Sequence, residues 1–334
     1  MRKILIIANY KPGTGGISGQ VEKLHQCLNQ EGVENVIFSV KGSFLYRIVA
    51  FFRLFKVGRQ YDVFHVHTCS NFGFISAVYG VIVGRRLGKR IVLTYHGGGA
   101  ESFFKKRHRW VRRYLLKTDA NIVLSGFLGR VFDAYQIPYV IIPNVIELDG
   151  KHFRERNQVQ PCFISVRTLA PLYNIDCILR AFARVKAIVP NASLLVLGDG
   201  PSRETLEEYV KKQGLQNVTF VGRVDNSVIY DYLDQADIMI SAPRIDNMPV
   251  SVLEAMNAGL LVISSRVGGI PYMIEDGVNG LLFESDNDEA LAEKMLLALH
   301  QPEKTAEMCR YAKEALGQYA WDSVREPLLN LYKA

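Results

Sequence analysis

Cysteine is scarce and scattered, with five residues (Cys27, Cys69, Cys162, Cys177 and Cys309) and no C-x-x-C pair among them. That spacing argues against a zinc ribbon, a thioredoxin-type redox motif and a disulfide framework, and leaves each thiol to act as a small buried hydrophobe. Also missing is any apolar run near the ~18 residues of a membrane span. The N-terminal run Ile4-Leu5-Ile6-Ile7-Ala8 is short and has no cleavage site before the next glycines, so it reads as a first buried strand and the chain as cytoplasmic. No collagen-like or long disordered tract appears.

What is present suits a packed α/β protein. The 334 residues are 49% hydrophobic and 22% charged. At ~150 residues per domain they imply two domains, and two domains imply a cleft. The net charge of +7 is unevenly distributed: residues 1–155 hold 23 Lys and Arg against 10 Asp and Glu, whereas 156–334 hold 17 against 23. A basic first half calls for an anionic partner, with nucleic acid and an acidic membrane surface as the general candidates.

Short apolar runs rich in β-branched residues alternate with helix-like segments at 3–8, 35–40, 62–66, 90–94, 120–124 and 139–142, and again at 162–166, 193–198, 218–221, 237–240 and 261–264. Strands buried on both faces read as continuous apolar runs, so the alternation predicts βαβ units and parallel sheets. Helices are expected at 175–189, 202–213, 227–235, 250–258, 288–300, 303–317 and 321–332. Linker composition over 143–161, with Pro143, Asn144, Gly150 and Pro161, puts the domain boundary at 150/151.

Candidate chemistry gathers where strands end, the edge at which open α/β sheets bind ligands. After 3–8 comes a loop through Gly13, Gly15, Gly16 and Gly19 that leads into a helix with Val21, Leu24, His25 and Leu28. It is either a phosphate loop or a tight turn. His65 and His67 close one strand, and His96-Gly97-Gly98-Gly99 follows the next. His96 is placed to reach a substrate, while a histidine satisfied by a backbone carbonyl is the plainer reading, preferred for His65 and His67. Gly198-Asp199-Gly200-Pro201 and Gly222-Arg223 form turns along the second sheet. Arg167 ends a strand, where it either grips a diphosphate or is a surface arginine. The sharpest signal is Asp246-Asn247-Met248-Pro249-Val250-Ser251 with Glu254 one turn later. Two carboxylates beside free helix amides can bind sugar and ribose hydroxyls and a diphosphate, with opposite charges kept apart. The alternatives are a helix cap at Asp246 and a solvated Glu254.

Taken together, Gly15-Gly16, Asp62 to His67, Thr94 to Gly97, Arg167, Gly198 to Pro201, Asp246 to Gly259, Gly268-Gly269-Ile270-Pro271 and Trp321 resemble the retaining GT-B glycosyltransferases of family four over nearly the whole chain. The resemblance implies two doubly wound Rossmann-like domains facing a cleft: residues 1–150 for the acceptor, 151–318 for the nucleotide sugar, and a C-terminal helix in 319–334 packing back on the first. It implies His96, Arg167 and Asp246 as catalytic residues. Donor contacts would come from Gly15, Gly16, Gly200, Arg223, Asn247, Met248, Val250, Ser251 and Glu254. The co-substrate would be a UDP- or GDP-linked sugar, with no other cofactor; no metal ion is expected, on the reading that no aspartates are arranged as the Asp-x-Asp of metal-dependent transferases.

Three departures stand out. Asp246 replaces the family's first Glu and is one methylene shorter, while Met248-Pro249 replaces Phe-Gly and removes a backbone donor. The diphosphate lysine after Arg167 is absent from 168–174, where Tyr173 or Asn174 offers a hydrogen bond without charge. Arg167 and the helix amides still favour an active enzyme, in which the departing phosphate serves as base. The alternatives are a nucleotide-sugar epimerase of the same fold, tested by whether the protein alone changes a nucleotide sugar, and a binding protein that lost turnover.

Residues 41–60 and 103–117 interleave cations with aromatics: Arg47, Arg53, Lys56 and Arg59 in the first, and a basic run from Lys105 to Lys117 around Phe103, Phe104, Trp110 and Tyr114 in the second. This is the composition of interfacial helices on an anionic membrane, here the inner face of the cytoplasmic membrane, and it suits a glycan or polyprenyl- or otherwise lipid-linked acceptor. A helix packed on the sheet with a solvated basic face is the alternative. No nucleic-acid module is recognisable.

Overall fold

In the computed structural model, which describes residues 2–148, 150, 152–156 and 158–333, the chain divides into two compact units, Met1–Glu147 with Gln318–Ala334, and Leu148–Gly317. Met1, Asp149, Lys151, Asn157 and Ala334, and with Lys151 the expected boundary at 150/151, lie outside the described residues.

The first unit runs β1 (Ile4–Ala8), α1 (Ile17–Gln30), β2 (Asn35–Ser39), α2 (Phe44–Gly58), β3 (Val63–Thr68), α3 (Ile75–Arg86), β4 (Arg90–Tyr95), α4 (Ala100–Leu115), β5 (Ala120–Val123), α5 (Gly126–Ala134) and β6 (Val140–Ile141). Its parallel sheet has the order β2-β1-β3-β4-β5-β6. Because successive strand residues point to opposite faces, Leu5 and Ile7 join α2, α3, α4 and α5 in one core layer. Ile4, Ile6 and Ala8 join α1 and the chain's last helix in the other.

The second unit runs β7 (Cys162–Val166), α6 (Ile175–Ile188), β8 (Ser193–Leu197), α7 (Arg203–Lys212), β9 (Val218–Gly222), α8 (Ile229–Leu233), β10 (Ile238–Ser241), α9 (Val250–Asn257), β11 (Leu261–Ser265), β12 (Leu281–Phe283), α10 (Asp288–His300) and α11 (Pro302–Ala315). Its sheet order is β12-β11-β10-β7-β8-β9. Ile178 and Phe182 of α6 pack with Leu291 and Met295 of α10 over one face.

The chain then returns to the first unit as α12 (Trp321–Lys333). Val324, Leu328 and Tyr332 enter the core beside Ile4 and Ile6. Trp321 Nε1 donates to Glu31 Oε1 at 3.0 Å, and Tyr332 Oη meets His65 Nδ1 at 2.7 Å.

Four expectations need correction. Helix α1 begins at Ile17, so Gly19 is helical; Gly16, at φ 66°, makes the turn into it. Strand β12 has three residues, too few for a period to show in sequence. Cys69 and Cys162 are half-buried, unlike Cys27, Cys177 and Cys309. In α4 the aromatics Phe103 and Phe104 lie in the core and the cations stay outside, because its apolar stripe is used up against the sheet.

Candidate functional site

A parallel sheet parts its crossover connections where the strand order reverses, opening a crevice at the carboxyl ends of the strands there. In the second unit this point falls between β7 and β10, and Arg167 and Asp246 occupy the loops that leave those two strands. Glycines hold the loops in place. A methyl group on Gly198, at φ 128°, would lie 1.8 Å from Arg167 O, and one on Gly200 2.4 Å from Leu169 O. On the other side Gly268, at φ 54°, faces Asp246 O at 1.9 Å by the same measure, and Gly269 N donates to Asp246 O at 3.0 Å.

Arg167 Nη2 pairs with Asp246 Oδ2 at 3.0 Å and donates to Ser241 Oγ at 3.2 Å. The two side chains of this pair are only 10% and 19% exposed. Such a pair fixes the guanidinium plane and leaves its remaining donors directed. Ser241 had no assigned role in the sequence, because a serine ending a buried strand carries no signal of its own. The Arg167 guanidinium also sits 5.3 Å from the centre of the Tyr173 ring. Asn174 turns away and donates to Asp286 Oδ1 at 3.0 Å. Of the two residues available in place of a lysine, Tyr173 is the one beside Arg167.

Glu254 is half-buried rather than a freely solvated helix residue. Burial on the inner turn of α9 pushes its carboxyl up to about 7, against the opposing pull of the Arg167 charge. No side chain caps α9, whose first turn follows Pro249. Its backbone amides thus keep the partial positive charge of a helix start. Val250 and Ser251 open this turn, and Ser251 Oγ is buried with no hydrogen-bond partner among the described residues. Asn247 and Met248 are buried, and Asn247 N donates to Asp246 Oδ1 at 2.7 Å. Arg223 is exposed just beyond β9, two strands from β7.

The remaining candidates belong to the first unit. Gly15 and Gly16 are exposed in the loop between β1 and α1. This loop is held by Lys11 N donating to Ser18 Oγ at 3.1 Å and Gly13 N donating to Glu22 Oε1 at 3.1 Å. His96 follows β4, and its Nε2 lies 2.9 Å from Nδ1 of His67. The His65 ring lies 4.4 Å from that of His67, tilted by 37°, and bonds Thr94 Oγ1 through Nε2 at 2.8 Å. Burial drives His96 down to about 4, His65 to about 3 and His67 well below its usual value, so all three are neutral at pH 7. Nε2 of His67 is buried without a partner. A bare lone pair there costs less than an orphaned N–H. His67 therefore carries its proton on Nδ1 and donates to His96, which keeps its own proton on Nδ1. These histidines are joined by one another, Thr94 and Tyr332 rather than by the carbonyls expected from sequence.

Two family models divide the chain: residues 150–315 match Glycosyl transferases group 1, and 19–149 match Glycosyltransferase Family 4. The chain belongs to the group 1 glycosyltransferases. An uncharacterized glycosyltransferase of Methanocaldococcus jannaschii is 23% identical over 96% of this chain and 95% of its own. The N-acetyl-alpha-D-glucosaminyl L-malate synthase of Bacillus anthracis is 25% identical over 76% of this chain and 70% of its own. Among solved structures, Anabaena HepE in complex with UDP and glucose superposes with a TM-score of 0.82 at 16% identity, each chain covered in full. The sucrose-phosphate synthase of Thermosynechococcus elongatus reaches 0.84 at 18% identity, over 100% of this chain and 98% of that one. This glycosyltransferase thus has the GT-B fold.

One Asp-x-Asp spelling does occur in the glycosyltransferase, at Asp286 and Asp288, but both carboxylates are ion-paired. Asp286 meets Arg244 at 2.7 Å, and Asp288 meets Arg180 and Arg184 at 3.0 Å each. The packing of Gly268 carries a prediction. Gly268→Ala is expected to cost about 2–3 kcal/mol, from the left-handed backbone and the contact with Asp246 O. A urea titration reads this loss, and an unchanged midpoint would contradict the packing described.

Proposed function

We propose that this glycosyltransferase moves a sugar, with retention of anomeric configuration and without a metal ion, from a UDP- or GDP-linked donor to a glycan or lipid-linked acceptor in cell-surface polysaccharide or glycolipid assembly. One observation carries the reading: Arg167, Asp246, Glu254 and the uncapped start of α9 converge at the switch point between β7 and β10. In this reading Arg167 and the α9 amides stabilise the charge that develops on the departing diphosphate, because preorganised donors aimed at that charge act most strongly in the transition state. Asp246 accepts from hydroxyls of the donor sugar, and Glu254 from the ribose. The departing phosphate takes the acceptor's proton on the same face, so no protein nucleophile is needed. His96, held as an Nδ1–H tautomer by His67, donates to the reacting sugar. The first unit serves the acceptor and the second the donor. No helix among the described residues is long and apolar enough to cross a membrane, and the basic first unit is assigned to the inner face of the cytoplasmic membrane.

Tyr173 beside Arg167, where a cation was expected, supports a second reading as a nucleotide-sugar binding protein without turnover. Thermal-shift titration with UDP, GDP and their sugars tests donor binding, since a ligand of the folded state raises its stability with concentration. Release of the nucleoside diphosphate in the presence of EDTA, followed by NMR of the product's anomeric proton, tests turnover, metal independence and retention. A protein that no nucleotide stabilises would defeat both readings.

A further inference from the structure

Helix α2 turns an apolar face outward. Its inner side is pinned: Ala50, Leu54 and Gly58 are buried, Phe51 meets Tyr79 at 4.9 Å, and a methyl on Gly58 would lie 2.4 Å from the Phe64 ring. With the helix so fixed, Phe44, Leu45, Ile48, Val49 and Phe52 form one outward stripe at i, i+1, i+4, i+5 and i+8, exposed by 78, 74, 41, 53 and 66%. A helix that faces water carries polar residues there, and contiguous exposed apolar stripes mark surfaces that something covers. Farther along the same helix Arg53 and Lys56 take over, with Arg59 just past its end, and 41–60 contains no acidic residue. Helix α4, on the same face of the sheet, sends Phe103, Phe104, Val111 and Leu115 into the core, leaves only Trp110 of its large apolar residues 40% exposed, and presents Lys105, Lys106, Arg109, Arg112 and Arg113 to solvent.

We infer that the N-terminal half of α2 inserts its apolar stripe into the interface of an anionic bilayer, while the cations of α2 and α4 lie over the lipid phosphates. Charge complementarity selects this occupant, since an apolar wedge followed and flanked by cations without an ion-pair partner among the described residues matches an anionic headgroup layer over hydrocarbon. The two helices divide the work: α2 supplies the inserting stripe, and α4 supplies mainly charge, with Trp110 as its one exposed aromatic. The inserting end follows β2, with Tyr46 Oη donating to Ser39 O at 3.4 Å, so it stands at the carboxyl edge of the sheet, the edge that carries the Gly15–Gly16 loop and His96. A bilayer docked there presents lipid-borne acceptors to that edge. This last step rests on the acceptor class proposed above.

The test is co-sedimentation of the full chain with phosphatidylcholine vesicles made with and without phosphatidylglycerol, across a salt series. The wild type is expected to bind the anionic vesicles and not the neutral ones. The triple variant Leu45→Ser, Val49→Ser, Phe52→Ser is expected to lose about tenfold or more in partitioning and to keep a weak binding that salt abolishes. Lys105→Gln, Lys106→Gln, Arg109→Gln is expected to bind more weakly but with less dependence on salt. Circular dichroism and the nucleotide thermal shift verify that the variants are folded. Absence of wild-type binding, or equal binding by the α2 variant, would overturn the inference. So would a dimer in sedimentation velocity that the α2 variant abolishes, which would make a second copy the occupant. Vesicle binding needs no donor, so a protein that docks yet ignores every nucleotide would refute sugar transfer and leave α2 standing, and the converse result would do the opposite.

Discussion

Replacing Arg167 by methionine should lower kcat for sugar transfer by about 100- to 1000-fold, the effect of removing one preorganised donor from a developing negative charge. The expectation follows from position. The guanidinium is 10% exposed, held by Asp246 at 3.0 Å and by Ser241, and so is already aimed before any ligand arrives. Methionine keeps the stem's packing and removes the charge, which leaves Asp246 at the surface of the loop and lowers stability by about 1–3 kcal/mol. Single-turnover measurement with saturating donor separates the two effects, because a folding defect reduces the amount of active protein and not the rate constant. Turnover within about threefold of wild type would remove Arg167 from the reaction.

Glu254→Gln should leave a more stable but less capable protein. The folded state holds the Glu254 carboxyl near pH 7, whereas a carboxyl free in water titrates near 4.5. Between those values the native state binds the extra proton. This contribution to stability is complete below about pH 4.5, declines as pH rises, and is lost above about pH 7, at a cost on the order of 3 kcal/mol. Glutamine escapes the cost, so the variant's midpoint in urea should exceed that of wild type at pH 8 and match it near pH 4. Donor affinity should move the other way. A carboxylate accepting from ribose hydroxyls weakens its grip as it protonates, so wild-type affinity should fall from pH 8 to pH 6, and the variant should bind weakly and evenly throughout. A pH-independent wild-type affinity would show that Glu254 does not touch the donor.

Most of the fold was legible because parallel strands buried on both faces leave uninterrupted runs such as Ile4 to Ala8 and Leu261 to Ser265. Strand ends were legible for the same reason, and with them the neighbourhoods of His96, Arg167 and Asp246. Their pairings were not. The resemblance brings Arg167 to the turn before α9, but nothing local announces its direct ion pair with Asp246, or that His67 rather than a carbonyl meets His96, because these contacts depend on which strands become neighbours. The two basic segments looked alike as composition. They differ in the structure because Phe103 and Phe104 of α4 are absorbed by the core and the apolar residues at the start of α2 are not, a distinction set by which stripe the sheet takes.

The interrupted first unit has a consequence for the order of synthesis. Residues Leu148–Gly317 form one unbroken unit, whereas the other needs its last stretch, Gln318–Ala334, to cover the face of β1 beside Ile4 and Ile6. On the ribosome the middle of the chain can therefore finish before the beginning does. Until Tyr332 emerges and reaches His65, the earliest strands wait with one flank uncovered. Chaperones would find their target in that interval, at the start of the chain.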